Sequence, residues 1–255
     1  MKEDVQNYYN AHAQQEWERL ESVRCAIEFA STLQLIGKYF PKQGRVCDIG
    51  GGPGRYTVEL ARRGYRVLGV DSREESLSEA RAAARGEKLN VHFLHTDIRQ
   101  ISYRGEFDAV VNLFAAIGYL PNDRDHARVL EGVGRGLKIG GKLLLDMLNK
   151  EWLMRHFESG RIAFDLEAGR LVEGFPAAGA AASLRVYALT EIKSLLLRAG
   201  LDFCRVWGGY QGEAYELDSP RMIILARRPE PQPQRSPKDE GLVTAVRIKG
   251  RGRRR

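Results

Sequence analysis

The sequence predicts an α/β fold: a seven-stranded, mostly parallel sheet with helices on both faces, an antiparallel last strand and a small cap insertion. Three observations predict it. Apolar runs of strand length alternate with helical repeats along most of the 255 residues. The strands read as unbroken apolar runs rather than alternating ones, as strands do when both faces of a parallel sheet are covered. Three of them also end in an acid at one structural level, Asp48, Asp71 and Asp97, where open α/β sheets bind ligands.

From Glu16 to Phe40, apolar residues at Trp17, Leu20, Val23, Ile27, Ala30 and Leu33 recur at helical spacing, and Pro41 closes that helix. RVCDI is the first strand, followed by a glycine turn and the helix RYTVELARR, ended by Gly64. YRVLGV ends in Asp71. Ser72 is placed to cap the next helix, with Glu75 three residues on as a capping box. NVHFLH and FDAVVNLF give the third and fourth strands. A helix from about Asn122 to Leu137 is opened by Pro121 and closed by Gly140-Gly141, and Lys142 to Met147 is the fifth strand. The rhythm then breaks. Residues 149–186 read as a short helix (EWLMRHF) and a hairpin (RIAFDLEAGRLVEG), a cap inserted after the fifth strand. TEIKSLLLRAG makes a helix with Thr190 as its cap, and LDFCRVWGGY and PRMIILARR close the sheet as an antiparallel pair.

Composition excludes several classes. The longest apolar runs are too short to cross a bilayer, and the polar start MKEDVQNYYN has no secretory core. Three widely spaced cysteines argue against a disulfide scaffold or a zinc site and for a reducing cytoplasm. The net charge of +7 resides in one place: residues 227–255 hold ten Lys/Arg against three Asp/Glu, leaving 30 of each sign in residues 1–226. The Pro-, Gln- and Arg-rich stretch 229–255 has too few large apolar residues to order itself and reads as a solvated basic tail. Three parts follow: an N-terminal helical lid (1–40), the main domain (41–228) and the tail (229–255).

VCDIGGGPGRY carries glycines 50, 51, 52 and 54 at a strand-to-helix turn, where a missing Cβ lets a ligand approach the backbone. A dinucleotide fingerprint needs G-x-G-x-x-G. Counting from Gly50 puts Arg55 at the last glycine, and counting from Gly52 puts Thr57 there, so that pattern fails. Asp48 just before the turn disfavours phosphate and suits a ligand with positive charge. Asp71, at the second strand tip, is placed to accept two hydrogen bonds from a ribose diol.

These stretches together (VCDIGGGPGRY, GVDSREESLSEAR, HTDIRQISYRGEFDAVVNLFAAIGYL and GLKIGGKLLLDMLN) resemble the successive motifs of class I S-adenosylmethionine-dependent methyltransferases. The resemblance spans residues 40–226 and implies a Rossmann-like fold. It implies that Asp48 and the backbone of Gly50, Gly51, Gly52 and Gly54 hold the methionyl portion of the cofactor. By the same resemblance Asp71 takes the ribose, with Ser72 beside the adenine; Asp97 and the Ile98 N–H read the adenine edge. Asn112, Leu113 and Phe114 would line the transferring methyl. YYNAHAQQEWERL resembles a lid helix, with Tyr8, Tyr9 and Trp17 as lid residues.

The acceptor is less legible. Neither N-P-P-[YF] nor a cysteine pair for attack on cytosine is present, and the main domain has no net charge to draw phosphate. The expectation is methyl transfer to N or O of a small-molecule metabolite. Two alternatives are an RNA or protein methyltransferase tethered by the Arg-rich tail and a cofactor-binding protein without catalysis. No base is assigned; Tyr119 and His95 are the candidates, whereas His126, among charges in NDRDHAR, is expected on the surface.

Overall fold

A computed structural model describes residues 23–156, 162–165, 167, 169–175 and 180–231. The expected lid residues Tyr8, Tyr9 and Trp17, part of the cap and the tail beyond residue 231 lie outside the described residues.

α1 (Val23–Tyr39) leads to β1 (Arg45–Ile49), α2 (Arg55–Arg62), β2 (Arg66–Asp71), α3 (Glu74–Ala84) and β3 (Val91–His95). β4 (Phe107–Asn112), α4 (Asp123–Gly136) and β5 (Leu137–Leu148) follow. After α5 (Lys150–Arg155) and the strands β6 (Ile162–Asp165), β7 (Arg170–Phe175) and β8 (Ala180–Arg185), the chain returns through α6 (Leu189–Arg198), β9 (Asp202–Trp207) and β10 (Arg221–Arg227). The seven-stranded sheet runs β3-β2-β1-β4-β5-β10-β9, and only β10 is antiparallel to its neighbours. From β1 the chain builds outward through β2 and β3, then returns to β1's other side with β4. That reversal opens a crevice above the carboxyl ends of β1 and β4.

The apolar strand runs are explained by two cores. Cys47, Ile49, Leu143 and Leu145 point to the face covered by α4 and α6, through Val129, Val133, Ile192 and Leu196. Val46, Val111 and Leu144 point to the other face, against Ile36 of α1 and Tyr56 and Leu60 of α2. Neighbouring residues go to opposite cores because strand side chains alternate. The edge strands differ: β3 and β9 expose residues along much of their length, so the expectation of strands buried on both faces holds only for the inner ones.

Local signals were corrected in four places. Ser72 does not cap α3, which starts at Glu74 after Arg73; the Arg73 N–H instead donates to Asp71 Oδ1 at 2.9 Å. Thr190 lies inside α6, whose cap is Ala188, with its N–H donating to Glu191 Oε2 at 2.7 Å. Gly140-Gly141 does not close α4. The helix passes directly into β5, and the glycines fall where its register with β4 shifts between Phe107/Leu137 and Ala109/Lys142; Gly140, at φ +77°, bends the strand there. Finally, the expected hairpin β6-β7 is extended by β8 into a three-stranded antiparallel sheet. The alanine-rich segment AAASLR carries little strand preference, which is why it did not read as one.

Candidate functional site

The glycine turn stands over a buried acid. Asp48 Oδ2 accepts from Thr57 Oγ1 at 2.6 Å, and a Cβ on Gly51 would lie 2.8 Å from that oxygen. Burial pushes the Asp48 carboxyl up to about 6; the Thr57 hydroxyl opposes this and nearby Asp71 adds to it. Asp48 therefore braces the turn from beneath. Gly50 and Gly54 serve packing, since a Cβ on either would come within 2.6 and 2.5 Å of the Cβ atoms of Ala116 and Ala80. Gly52 is the least crowded of the four. At φ +54° its N–H donates to Asp71 Oδ2 at 3.0 Å, and the nearest atom to an added Cβ is Arg73 Nη2, 3.6 Å away.

Asp71 thus ties the tip of β2 to the turn after β1, with Arg73 Nε 3.4 Å from its other oxygen. Ser72 offers its carbonyl to His95 Nε2 at 3.1 Å; His95 is half exposed beside Glu74 at the sheet edge. Asp97 is held by Arg99 through its N–H, Nε and Nη2, while Arg99 Nη1 reaches Asp125 at 2.7 Å. A carboxylate can accept about four bonds, so Asp97 keeps capacity for a ligand only by sharing with Arg99. Ile98 opens the short 3₁₀ turn beside it.

On the other side of the reversal, Asn112 Nδ2 donates to Ile49 O at 2.8 Å, joining the ends of β4 and β1. Leu113 is buried. Phe114 and Ala115 then adopt φ +55° and +56°, an uncommon conformation for non-glycine residues that marks stored strain. The turn is held by Asp146, which the sequence reading missed. Fully buried in β5, its carboxylate accepts from Phe114 N at 2.8 Å, Tyr210 Oη at 3.0 Å, and Arg221 Nε and Nη2 at 2.7 and 2.8 Å. The signal was present as a lone acid in the apolar run LLLDML, since an unpaired buried carboxylate is too costly to persist.

His126 is the other correction. It is fully buried, not on the surface: its Nδ1 meets the Tyr187 hydroxyl and its Nε2 the Leu120 carbonyl at 3.2 Å. The Tyr187 hydroxyl also donates to Asp123 Oδ1, which Arg185 of β8 grips at 3.0 Å. Burial depresses the His126 pKa, with Asp123 acting the other way. Arg170 of β7 donates to the Leu120 and Pro121 carbonyls, so two arginines strap the small sheet to the segment after β4. Tyr119 is half-buried there, packed beside Leu153, Leu171 and Leu184.

A methyltransferase domain model matches residues 46–141, the stretch from β1 to β5 that builds this crevice. This stretch is thus similar to a methyltransferase domain. Cypemycin N-terminal methyltransferase of a Streptomyces species is 26% identical over 223 residues, covering 78% of this chain and 89% of that protein. The tRNA 5-carboxymethoxyuridine methyltransferase of Escherichia coli is 29% identical over 136 residues, 52% of this chain and 51% of that protein. The chain spans about half the length of several curated relatives that it matches, from 43% to 51%. Among solved structures, an S-adenosylmethionine-dependent methyltransferase from Clostridium acetobutylicum superposes with a TM-score of 0.69, covering 87% of this chain and 99% of that one at 17% identity, a likeness of fold.

The methyltransferase domain fits the cofactor that the resemblance implies. The G-x-G-x-x-G phosphate pattern is missing, the Cβ position of Gly52 meets only Arg73, and carboxylates stand under the turn and near the tips of β2 and β3.

Proposed function

We propose that this chain is an S-adenosylmethionine-dependent methyltransferase acting on a nitrogen or oxygen of a small molecule in the cytoplasm. The observation that carries the reading is the Gly52–Asp71 pairing at the reversal of the sheet, within the matched methyltransferase domain. When bound, the cofactor supplies a methyl on a sulfonium that an acceptor lone pair displaces, sulfur leaving as a neutral thioether and the acceptor shedding a proton.

The protein's task is chiefly positioning, because the leaving group is already good. Asp71 offers its carboxylate to the ribose, and Asp97 and the Ile98 N–H border the adenine. Asp48 keeps the turn in shape and would favour the positive charge of the cofactor when it is bound. Asn112, Leu113 and Phe114 form the wall on the acceptor side. Nitrogen is favoured over oxygen by the relative that spans most of this chain, whose name places its methyl on an N-terminus.

The test is calorimetric titration with S-adenosylmethionine, followed by transfer of a labelled methyl to a metabolite extract. Wild-type protein binds and transfers. Asp71→Ala weakens cofactor binding by about tenfold or more, the worth of charge-assisted hydrogen bonds. No binding by the wild type refutes the reading. A second reading, an RNA acceptor, is favoured by the tRNA methyltransferase relative and by the basic tail. The same labelled transfer run on bulk tRNA separates the two.

A further inference from the structure

The balanced charge of the main domain is unevenly placed. At the end of the sheet away from the crevice, several surface cations meet an acid: Arg45 pairs with Glu106, Lys138 with Asp108 and Arg62 with Glu87. One patch departs from that arrangement. Lys142 of β5 and Arg227 of β10 are direct neighbours in the antiparallel register, and like charges placed opposite each other destabilise a sheet. Arg205 of β9 joins them on the face that α1 covers, because Leu144, Leu225 and Trp207, two residues from each, all belong to the core beneath α1. α1 itself ends there, at Lys38 and Tyr39.

Three of these cations are held by neutral groups. Lys142 Nζ donates to the Tyr39 carbonyl, and Arg205 Nη1 lies 3.3 Å from the Tyr39 hydroxyl. Lys38 Nζ stands 5.4 Å from the centre of the Tyr39 ring, and the Arg205 guanidinium 5.9 Å from that of Trp207. The two rings pack together with their centroids 5.0 Å apart. Such contacts fix position without cancelling charge, and among the described residues none of the three cations forms an ion pair with an acid. Arg227 has Asp202 at 3.7 Å, but both side chains are exposed, so that pair is worth little.

Four cations with one carboxylate among them, set on a fixed platform, suit a chain of phosphates, since Lys and Arg each keep several donors. Residues 232–255, which follow β10, add eight Lys/Arg against two Asp/Glu. A lipid surface is served less well: Trp207 is buried and Tyr39 half-buried, which leaves little apolar surface to insert.

We infer that Lys38, Lys142, Arg205 and Arg227 form a docking surface for the phosphate backbone of RNA, separate from the ligand crevice. Arg227 is six residues along β10 from Arg221, the partner of Asp146 at the crevice end, which is roughly 20 Å of strand. RNA bound there localises the protein and leaves the crevice open to its own ligands. That role is independent of the methyltransferase reading.

Fluorescence anisotropy of a labelled oligouridylate of about 16 nucleotides, titrated with the full chain over a range of salt, tests it. Wild-type protein should bind, with log affinity falling linearly against log salt. Each phosphate contact in a single strand adds about 0.7 to that slope, so the double variant Lys38→Gln, Arg205→Gln should reduce it by about 1.4. Arg227→Gln alone should reduce it by about 0.7, an independent check if the double variant melts early. Arg62→Gln, whose charge is already met by Glu87, should leave the slope unchanged. Saturating S-adenosylhomocysteine should alter RNA affinity by less than about twofold, because the crevice is at the other end. Absence of RNA binding overturns the assignment. So does an unchanged slope in the double variant and in Arg227→Gln, which would leave the basic tail as the whole site. Displacement of RNA by S-adenosylhomocysteine would put the strand in the crevice, and tighter binding to phosphatidylserine vesicles than to RNA would make the patch a lipid surface; either result also overturns it.

Discussion

The two sides of the crevice are built differently. On the β1–β3 side, the groups that meet are close in the chain: Asp48 bonds Thr57, Asp71 bonds Gly52 and Arg73, and Asp97 bonds Arg99. On the β4–β10 side they are far apart: Asp146 gathers Phe114, Tyr210 and Arg221, and Tyr187 gathers His126 and Asp123. Groups of the first kind can change with little effect on the fold. Those of the second kind hold strands together, so function and stability are joined there.

The largest effect that tests this contrast is at Asp146. Asp146→Ala leaves Arg221 without its partner and is expected to destabilise by about 3 kcal/mol or more in urea unfolding. Asp71→Ala is expected to lose only about 1–2 kcal/mol while weakening cofactor binding by about tenfold or more. Equal losses in the two variants would erase the distinction.

A smaller effect of opposite sign is expected at Asp48. Its native pKa of about 6 exceeds the ordinary 3.8, so between those values the folded chain keeps a proton that the unfolded chain releases. Stability then falls as pH rises through that window and levels off above it. Asp48→Asn, which can still accept from Thr57, should be more stable than wild type near pH 7.5 by up to about 3 kcal/mol and show no gain near pH 4. A constant difference across that range would mean that the carboxyl is not buried as described.

The smallest expected effect belongs to His126, packed among Asp123, Tyr187, Arg170 and Arg185. Its native pKa is depressed, so the neutral ring contributes stability that is present above the unfolded value of 6.5 and lost as pH falls through the native one. Denaturation midpoints measured from pH 7.5 to 5 should fall for wild type relative to His126→Gln as the pH drops. Parallel curves would show that the ring does not titrate on unfolding.

The same contrast explains what the sequence could reveal. Sheet order, the glycine turn and the three strand-end acids were legible because each depends on a residue's immediate neighbours or on strand periodicity. Asp146, His126 and β8 were not. Nothing within ten residues of Asp146 states that Arg221 will face it. The charges flanking His126 in NDRDHAR hid an inward face, which shows only when Val129, Leu130 and Val133 are placed on the same helix side. The caps were misjudged for a milder reason: Ser72 and Thr190 are good capping residues, but the strands and loops before them fix where α3 and α6 begin.

The Asn112–Ile49 bond also bears on synthesis. Asn112 Nδ2 closes the end of β1 by donating to Ile49 O, and β1 pairs with β4 on that side. A chain emerging from the ribosome with its first hundred residues complete already possesses Gly52 and Asp71, yet β1, which leads into the glycine turn, has only β2 beside it. The ligand turn gains its second wall when β4 threads in beside β1, and its outer support when β5 delivers Asp146. Domains tend to form from the N-terminus as they are made. Here that order puts cofactor capture after the assembly of the central strands, so the small molecule reports that the middle of the sheet has been built.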